Sequence, residues 1–381
     1  MTASVYLDCN ATAPVRPQAA EVMLAALKIG GNPSSVHAAG RAARAVLEVA
    51  RESVAALAGA RAADITFTSG GSEANALAIQ SAIRAGTRRL ILGAAEHASV
   101  METAQASGLP VELWPVDIRG VADLDWLKER LAGWDKADGR PFVALMLANN
   151  ETGVIQPVAA AAAVVQAAGG WLHSDAVQAA GRIPIDIAAL GADTLALSAH
   201  KLGGPQGVGV LAKRPAVEIT PSLFGGGQER GRRGGTENLS GAAGFGAAAR
   251  LGLAELADDH AAWRDAAAAR LKAEAGVTVL GEGAPRLSNT LCFASEGFSS
   301  ETQVMAMDLA GVMVSAGSAC SSGKVKASHV ITAMGRPELA ACAIRVSGGW
   351  ATTEDDWDRF ADAWLESHAR HASRARKLVE A

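Results

Sequence analysis

Three segments carry side chains able to do chemistry, and each follows a short apolar run. In TSGGSEAN (Thr68–Asn75) glycines turn the chain into a helical pattern from Glu73 to Ile83. Free amides at such a helix start, with the Ser72 hydroxyl, suit a phosphate. A plain strand-to-helix turn with Ser72 as its cap suits the same residues. In HSDAVQ (His173–Gln178) Asp175 stands where a buried strand ends. It is placed either to hold a protonated ring nitrogen or to cap a turn. In LSAHKLGGPQGVGVL (Leu197–Leu211) Lys201 follows an apolar strand and precedes a glycine-rich turn. A lysine among polar or cationic neighbours can have its pKa lowered and form a Schiff base. Ser198 and His200 would add phosphate donors there. The competing reading is a surface lysine.

A phosphate cup, a carboxylate and a lysine are the groups that pyridoxal phosphate needs, and here they follow one another along one chain. Two more segments end strands. AEHASV sets Glu96 and His97 after Leu90–Gly93; His97 suits stacking on an aromatic cofactor or proton carriage, or a structural role. LANNETGVIQP offers Asn149 and Asn150, amides that suit a ring oxygen or a turn. Cys320 lies in SAGSACSSGK (Ser315–Lys324), whose glycines and serines favour an exposed, mobile loop. Lys324 and Lys326 nearby favour thiolate. Cys292, in LCF, and Cys342 read as buried structural thiols. Arg345, in AIRVSGG, suits bidentate capture of a substrate carboxylate or a structural ion pair.

The elements that must position these groups alternate. Strands are expected at Ile65–Thr68, Leu90–Gly93, Val111–Trp114, Phe142–Ala148, Trp171–Ser174, Thr194–Ser198 and Val208–Ala212. Helical spacing links Val46/Leu47, Ala50, Val54 and Leu57, with Gly59 as the stop. This alternation predicts an α/β domain with a largely parallel sheet, whose ligands bind beyond the carboxyl ends of its strands. The glycine-rich stretch Phe224–Gly235 breaks the pattern, a long alanine-rich helix follows over roughly Ser240–Leu256, and the remainder reads as α+β with strands at Thr290–Ala294 and Ala343–Ser347. The expected division is a large domain over 15–250 and a small α+β domain from 1–14 and 251–381, the latter carrying the cysteine loop. The charged tail His368–Lys377 reads as a solvated helix face.

Composition removes other classes. The 381 residues are 49% hydrophobic and 19% charged, enough for a sizeable core. A formal net charge of -4 argues against a nucleic-acid binder. Four cysteines without a C-x-x-C pair give neither a disulfide framework nor a zinc site, and no metal is expected. The N-terminus does not read as a signal peptide. The uncharged stretch Thr152–Ser174 is broken by Pro157, Gly169 and Gly170, so a short helix over about Val158–Ala168 is expected rather than a membrane span. A cytoplasmic location follows as the simplest reading. TSGGSEAN also lacks the G-x-G-x-x-G spacing of a dinucleotide-binding turn.

Taken as a set and in order, YLDCNATAPV, GNPSSVHAAGR, ITFTSGGSEANALAI, AAEHASV, NNETGVIQP, HSDAVQ, SAHKLGGPQGVG, GGGQERGRRGGTEN, SAGSACSSG and AIRVSGG resemble the NifS/IscS-like cysteine desulfurases of the class V aminotransferase group. The resemblance runs over nearly the whole chain. It implies the fold type I of pyridoxal-phosphate transferases: a mostly parallel seven-stranded sheet flanked by helices, with a smaller α+β domain. It implies pyridoxal 5′-phosphate as cofactor and a homodimer. Lys201 is similar to the Schiff-base lysine, Asp175 to the pyridine-nitrogen partner and His97 to the stacking ring. Gln178 and Asn150 would bond the phenolic oxygen, and Gly71, Ser72, Ser198 and His200 the phosphate. Thr236 resembles a residue that reaches the neighbouring subunit's phosphate. Arg345, with Asn32 and Asn150, would hold L-cysteine. Cys320 would take its sulfur, leaving L-alanine, and pass a persulfide to an acceptor such as an iron–sulfur scaffold or a tRNA-thiolation relay. A selenocysteine lyase or another class V reaction is the alternative. The chain departs from the family pattern at Cys9, where asparagine is usual, and at Gln228, where histidine is common.

Overall fold

The computed structural model describes residues 4–256, 260–317 and 327–379. After β1 (Val5–Tyr6), the first part of the chain supplies α1 (Pro17–Leu27), α2 (Ala38–Ala58), β2 (Ile65–Thr68), α3 (Gly71–Arg84), β3 (Leu90–Gly93), α4 (Ala98–Ala106), β4 (Val111–Trp114) and α5 (Leu124–Ala132). It continues with β5 (Phe142–Ala144), α6 (Val158–Ala167), β6 (Trp171–Asp175), α7 (Ile187–Leu190), β7 (Thr194–Ser198), β8 (Gly209–Lys213) and α8 (Leu239–Ala254). Strands β2 to β8 form one seven-stranded sheet in the order β2-β8-β7-β6-β5-β3-β4. Only β8 runs against its neighbours. The expected α/β class and seven-stranded, mostly parallel sheet are therefore what the chain folds into.

Local chemistry sets the boundaries. Helix α2 is capped by His37, whose ring nitrogen accepts from Gly40 N, and ends on Gly59 at φ 59, a left-handed position that glycine takes without strain. Strand β5 is shorter than the apolar run Phe142–Ala148 suggests. Leu145 N and Leu147 N still donate to β6 at His173 O and Asp175 O, but Met146 N turns to the Glu96 carboxyl instead of to β3. The alanine richness of α8 is a packing device: a Cβ on Gly246 would lie 2.8 Å from Ala50 Cα. Small residues on this face let α8 close on α2 over the large core.

The second unit contains α9 (Ala261–Ala275), β9 (Thr278–Val279), β10 (Thr290–Ala294), α10 (Ser300–Leu309), β11 (Val312–Met313), β12 (Ser315–Ala316), α11 (His329–Ala333), β13 (Ala343–Ser347) and α12 (Glu354–Val379). Its antiparallel sheet has the order β12-β13-β10-β9. Strand β1 joins it from the other end of the chain, pairing in parallel with β11 through Val5 and Val312. Val5 and Leu7 share this core with Phe293, Phe360 and Trp364. The charged tail is not a purely solvated face: His368 stacks on Trp364 at 5.0 Å and His371 on Phe298 at 4.2 Å. Imidazoles there cover the rim of an aromatic cluster. Among the described residues no helix is long and apolar enough to cross a membrane.

Candidate active site

The carboxyl ends of β2, β6 and β7 meet the N-terminal segment and the edge of the small sheet around a cavity of about 420 Å3. One end of it is built by the first turn of α3. The cap position is held by Gly70, in extended conformation at φ 165. Ser72, read from the sequence as a phosphate donor or as the cap, lies inside the helix and lines the cavity. The close approaches demand glycine: a Cβ on Gly209 would sit 2.4 Å from Gly70 C, and one on Gly71 would meet Val177 Cγ2 at 2.8 Å. First-turn amides have no partner within their helix and carry the positive end of its dipole. Gly71, Ser72, Ser198 and His200 gather at this end. Burial, and then the Lys201 charge, lowers the His200 pKa to about 4, so its imidazole is neutral. Glu73 braces the turn from behind, accepting from Ser69 N at 2.7 Å and pairing with Arg233 at 2.9 Å.

Asp175 ends β6 and is almost wholly buried. Its Oδ1 accepts from Val177 N at 3.0 Å and its Oδ2 from Asn75 Nδ2 at 2.8 Å. Asp175 therefore closes a turn and also lines the cavity. His97 caps α4 and opens into the cavity; its Nδ1 accepts from Ser99 N at 3.1 Å and contacts Ser99 Oγ at 2.8 Å. Lys201 follows β7, and its Nζ donates to the carbonyls of Asn10 at 2.6 Å and Ala11 at 2.8 Å. Burial lowers the Lys201 pKa to about 8, assisted by the cations Arg345 and Arg182. A lysine so placed holds a substantial neutral fraction near physiological pH and can act as nucleophile or base.

The far wall belongs to the small sheet. Arg345, on β13, donates from Nη2 to Asp8 Oδ1 at 2.7 Å and from Nη1 to Asn150 O at 3.2 Å. Its Nε is buried with no protein partner, an orphaned donor of the sort an incoming anion satisfies. The ion-pair reading of Arg345 and its cavity-lining position coexist. Gln178 donates to Asn10 O at 3.0 Å and accepts from Arg182 at 2.6 Å. Asn150 lines the cavity, whereas Asn149 closes its own turn by accepting from Glu151 N and Thr152 N at 2.9 Å each.

Two candidates lie elsewhere in the chain. Asn32 is exposed and its Oδ1 accepts from Ser34 N at 2.8 Å, a local turn away from the cavity. Thr236 is exposed and borders a separate cavity of about 220 Å3 with Ser69 and Glu229. Cys320, Lys324 and Lys326 fall outside the described residues. Gly317 and Ser328, on either side of that stretch, meet at Glu151: the Ser328 hydroxyl donates to Glu151 Oε2 at 2.6 Å, and a Cβ on Gly317 would come within 2.5 Å of the same oxygen. Cys9 points into protein against Gly349, and burial raises its pKa to about 11. Gln228 accepts from Gly235 N at 3.2 Å, closing the glycine-rich turn.

Several site residues escaped the sequence reading. Asp8 and Asn10 stand in a segment whose place at the cavity depends on β1 pairing with β11. Asn75 and Ser99 bind Asp175 and His97. For Asn75 a signal existed: it lies on the buried face of α3 with Ala74, Leu77 and Ala78, where an amide needs partners. No group of three or more potential metal ligands occurs among the described residues.

Comparison with known proteins agrees with this architecture. The model of the aminotransferase class-V family matches residues 5–360. A cysteine desulfurase of Cereibacter sphaeroides is 42% identical over 93% of both chains, and an IscS-like cysteine desulfurase of Mycobacterium tuberculosis 36% over 98% of both. A solved NifS-like protein from Rickettsia africae superimposes with a TM-score of 0.88 at 32% identity, covering 96% of this chain and 99% of that one. Match and geometry together lead to one conclusion: the chain belongs to the aminotransferase class-V family, in which its relatives are cysteine desulfurases.

Proposed function

We propose that this protein is a cysteine desulfurase that uses pyridoxal 5′-phosphate, converts L-cysteine to L-alanine and carries the sulfur as a persulfide on Cys320. The observation that carries the reading is convergence: a lysine of lowered pKa, a buried carboxylate and a half-satisfied arginine face one cavity. The donor set fits the cofactor. Gly71, Ser72, Ser198 and His200 would hold the phosphate, Asp175 the ring nitrogen, His97 the ring face, and Gln178 with Asn150 the phenolic oxygen. Bound there, the cofactor supplies a carbonyl carbon that exchanges amines and a cationic ring that takes up electron density.

The chain's own groups do the rest. Arg345 takes the substrate carboxylate with its free Nε, while Asp8 and the Asn150 carbonyl fix the guanidinium plane. The neutral Lys201 amine removes the α proton, which its pKa of about 8 permits near neutrality. The Cys320 thiolate attacks the substrate sulfur; a sulfur–sulfur bond forms, the carbon–sulfur bond breaks with its electron pair left on carbon, and protonation there gives alanine. Gly317 lines the cavity. The persulfide then goes to an acceptor protein such as an iron–sulfur scaffold or a sulfur relay. Thr236, outside the cavity of its own chain, supports the reading of a homodimer in which it serves the other copy's phosphate. A cytoplasmic site of action is part of the same proposal.

The test is direct. Purified protein given L-cysteine and a thiol reductant is expected to yield equal amounts of alanine and sulfide and no keto acid, and mass analysis without reductant should find one extra sulfur on the Cys320 peptide. Cys320→Ser should retain cofactor binding and release no sulfide. Sulfide release by that variant near the wild-type rate would remove Cys320 from the mechanism.

A further inference from the structure

We propose that Asn75 is the positioning residue of this site, its one side-chain amide fixing the Asp175 carboxylate and the tautomer of His173 and tied through Ser99 to His97. The inference rests on the functional reading above only for its consequence; the hydrogen-bond chain stands by itself. Asn75 is fully buried. Its Nδ2 donates to Asp175 Oδ2 at 2.8 Å and to Ser99 Oγ at 2.9 Å. Its Oδ1 meets His173 Nε2 at 2.9 Å, His173 Nδ1 meets Thr194 Oγ1 at 2.9 Å, and the Trp171 indole donates to that same hydroxyl at 3.1 Å.

The ends of this chain dictate every proton within it. An ionised Asp175 only accepts, so Asn75 must turn its NH2 group toward it. The amide oxygen then faces His173, whose Nε2 must carry the proton. A neutral His173 therefore leaves Nδ1 bare, and the Thr194 hydroxyl donates to it. Trp171, a donor only, fills one of the two lone pairs of Thr194 Oγ1. The second Asn75 proton goes to Ser99 Oγ, whose own proton is left for His97 Nδ1, beside the Ser99 amide already aimed there. His97 consequently presents Nε2–H to the cavity. His173, wholly buried and stacked on Phe142 with the ring planes 19° apart, is held neutral by desolvation. One amide thus joins Asp175 to Ser99 and, through it, to His97.

Long-range proton–nitrogen correlation on cofactor-free protein carrying 15N-histidine tests the chain without the cofactor. His173 and His97, assigned through His173→Gln and His97→Gln, are expected as neutral rings protonated on Nε2 at neutral pH; a proton on Nδ1 of His173 overturns the proposal. In Asn75→Asp the donor group becomes an acceptor facing Asp175 and Ser99, and the dissociation constant for pyridoxal 5′-phosphate in equilibrium dialysis is expected to rise at least about tenfold. Circular dichroism verifies that this variant is folded. Thr194→Val, which keeps the shape and lies away from the cavity, is the second variant: it removes the hydroxyl at His173 Nδ1 but leaves the Asn75 oxygen at Nε2, so the ring should keep its proton on Nε2. Binding within about twofold of wild type in folded Asn75→Asp, or a His173 proton that moves to Nδ1 in Thr194→Val, refutes the positioning role. A wild-type chain that binds no pyridoxal 5′-phosphate would instead refute the function proposed above, and the histidine spectrum would still decide the chain.

Discussion

The lowered pKa of Lys201 has a measurable size. Its amine sits at about 8 against the ordinary 10.5, chiefly through burial and next through Arg345 and Arg182. At pH 7 about one such amine in eleven is neutral, against about one in three thousand for an ordinary lysine, a roughly 300-fold enrichment of the nucleophilic form. Trace acetylation of the cofactor-free chain over a pH series, with the Lys201 peptide quantified by mass spectrometry against that of the exposed Lys128, reads this out. The Lys201 profile should have its midpoint near 8, and Arg345→Gln should shift it upward. It should stop short of 10.5, because burial, the larger cause, remains. A wild-type midpoint above 10, or one unmoved by removing the Arg345 charge, would show that the cavity does not activate this amine by the means described.

Other outcomes follow from groups around the site. Glu96 is wholly buried and its pKa is raised to about 8 by desolvation and then by Asp175. An acid raised in the folded state costs stability as pH climbs from its unfolded value toward the folded one. Glu96→Gln should therefore gain on wild type in unfolding free energy as pH rises from 5 to 8, by ~3 kcal/mol at the upper end; a pH-independent difference in denaturant unfolding would show that the carboxyl does not titrate in this window. Arg51 donates twice to Glu229, at 2.7 and 2.8 Å, with both side chains buried. Glu229 also accepts from Phe67 N and sits at φ 47, so Arg51→Met should strand a buried carboxylate and cost about 3–5 kcal/mol in denaturant unfolding. Cys9 and Cys292, whose thiols burial pushes upward, should resist a disulfide reagent at pH 8 in the folded protein and react once it is unfolded.

Much of the large domain was legible because its signals are local. Strand β2, strand β3, strand β4 and strand β7 begin and end where their apolar runs do, and Gly59 stops α2 by its own conformational freedom. Where the reading slipped, a distant group intervened. Glu96 captured Met146 N and cut β5 short. In the tail, His368 and His371 found aromatic rings on α12 and beside α10, contacts that no charge pattern along the helix reports.

The amino-acid order alone settled the residue types at the strand ends, and so the kind of chemistry, because a lysine, a carboxylate and a glycine turn each act through their own atoms. The tertiary structure alone decided which of them share a cavity. It brought Asp8 and Asn10 to Lys201 through the pairing of β1 with β11, and it left Asn32 and Thr236 outside. It also joined Asn75, Ser99 and His173 into one directed chain of protons. Hydrogen bonds reach about 3 Å, whereas Asn75 and Asp175 stand 100 residues apart in sequence and Lys201 and Asn10 stand 191 apart, so only folding can bring them within range.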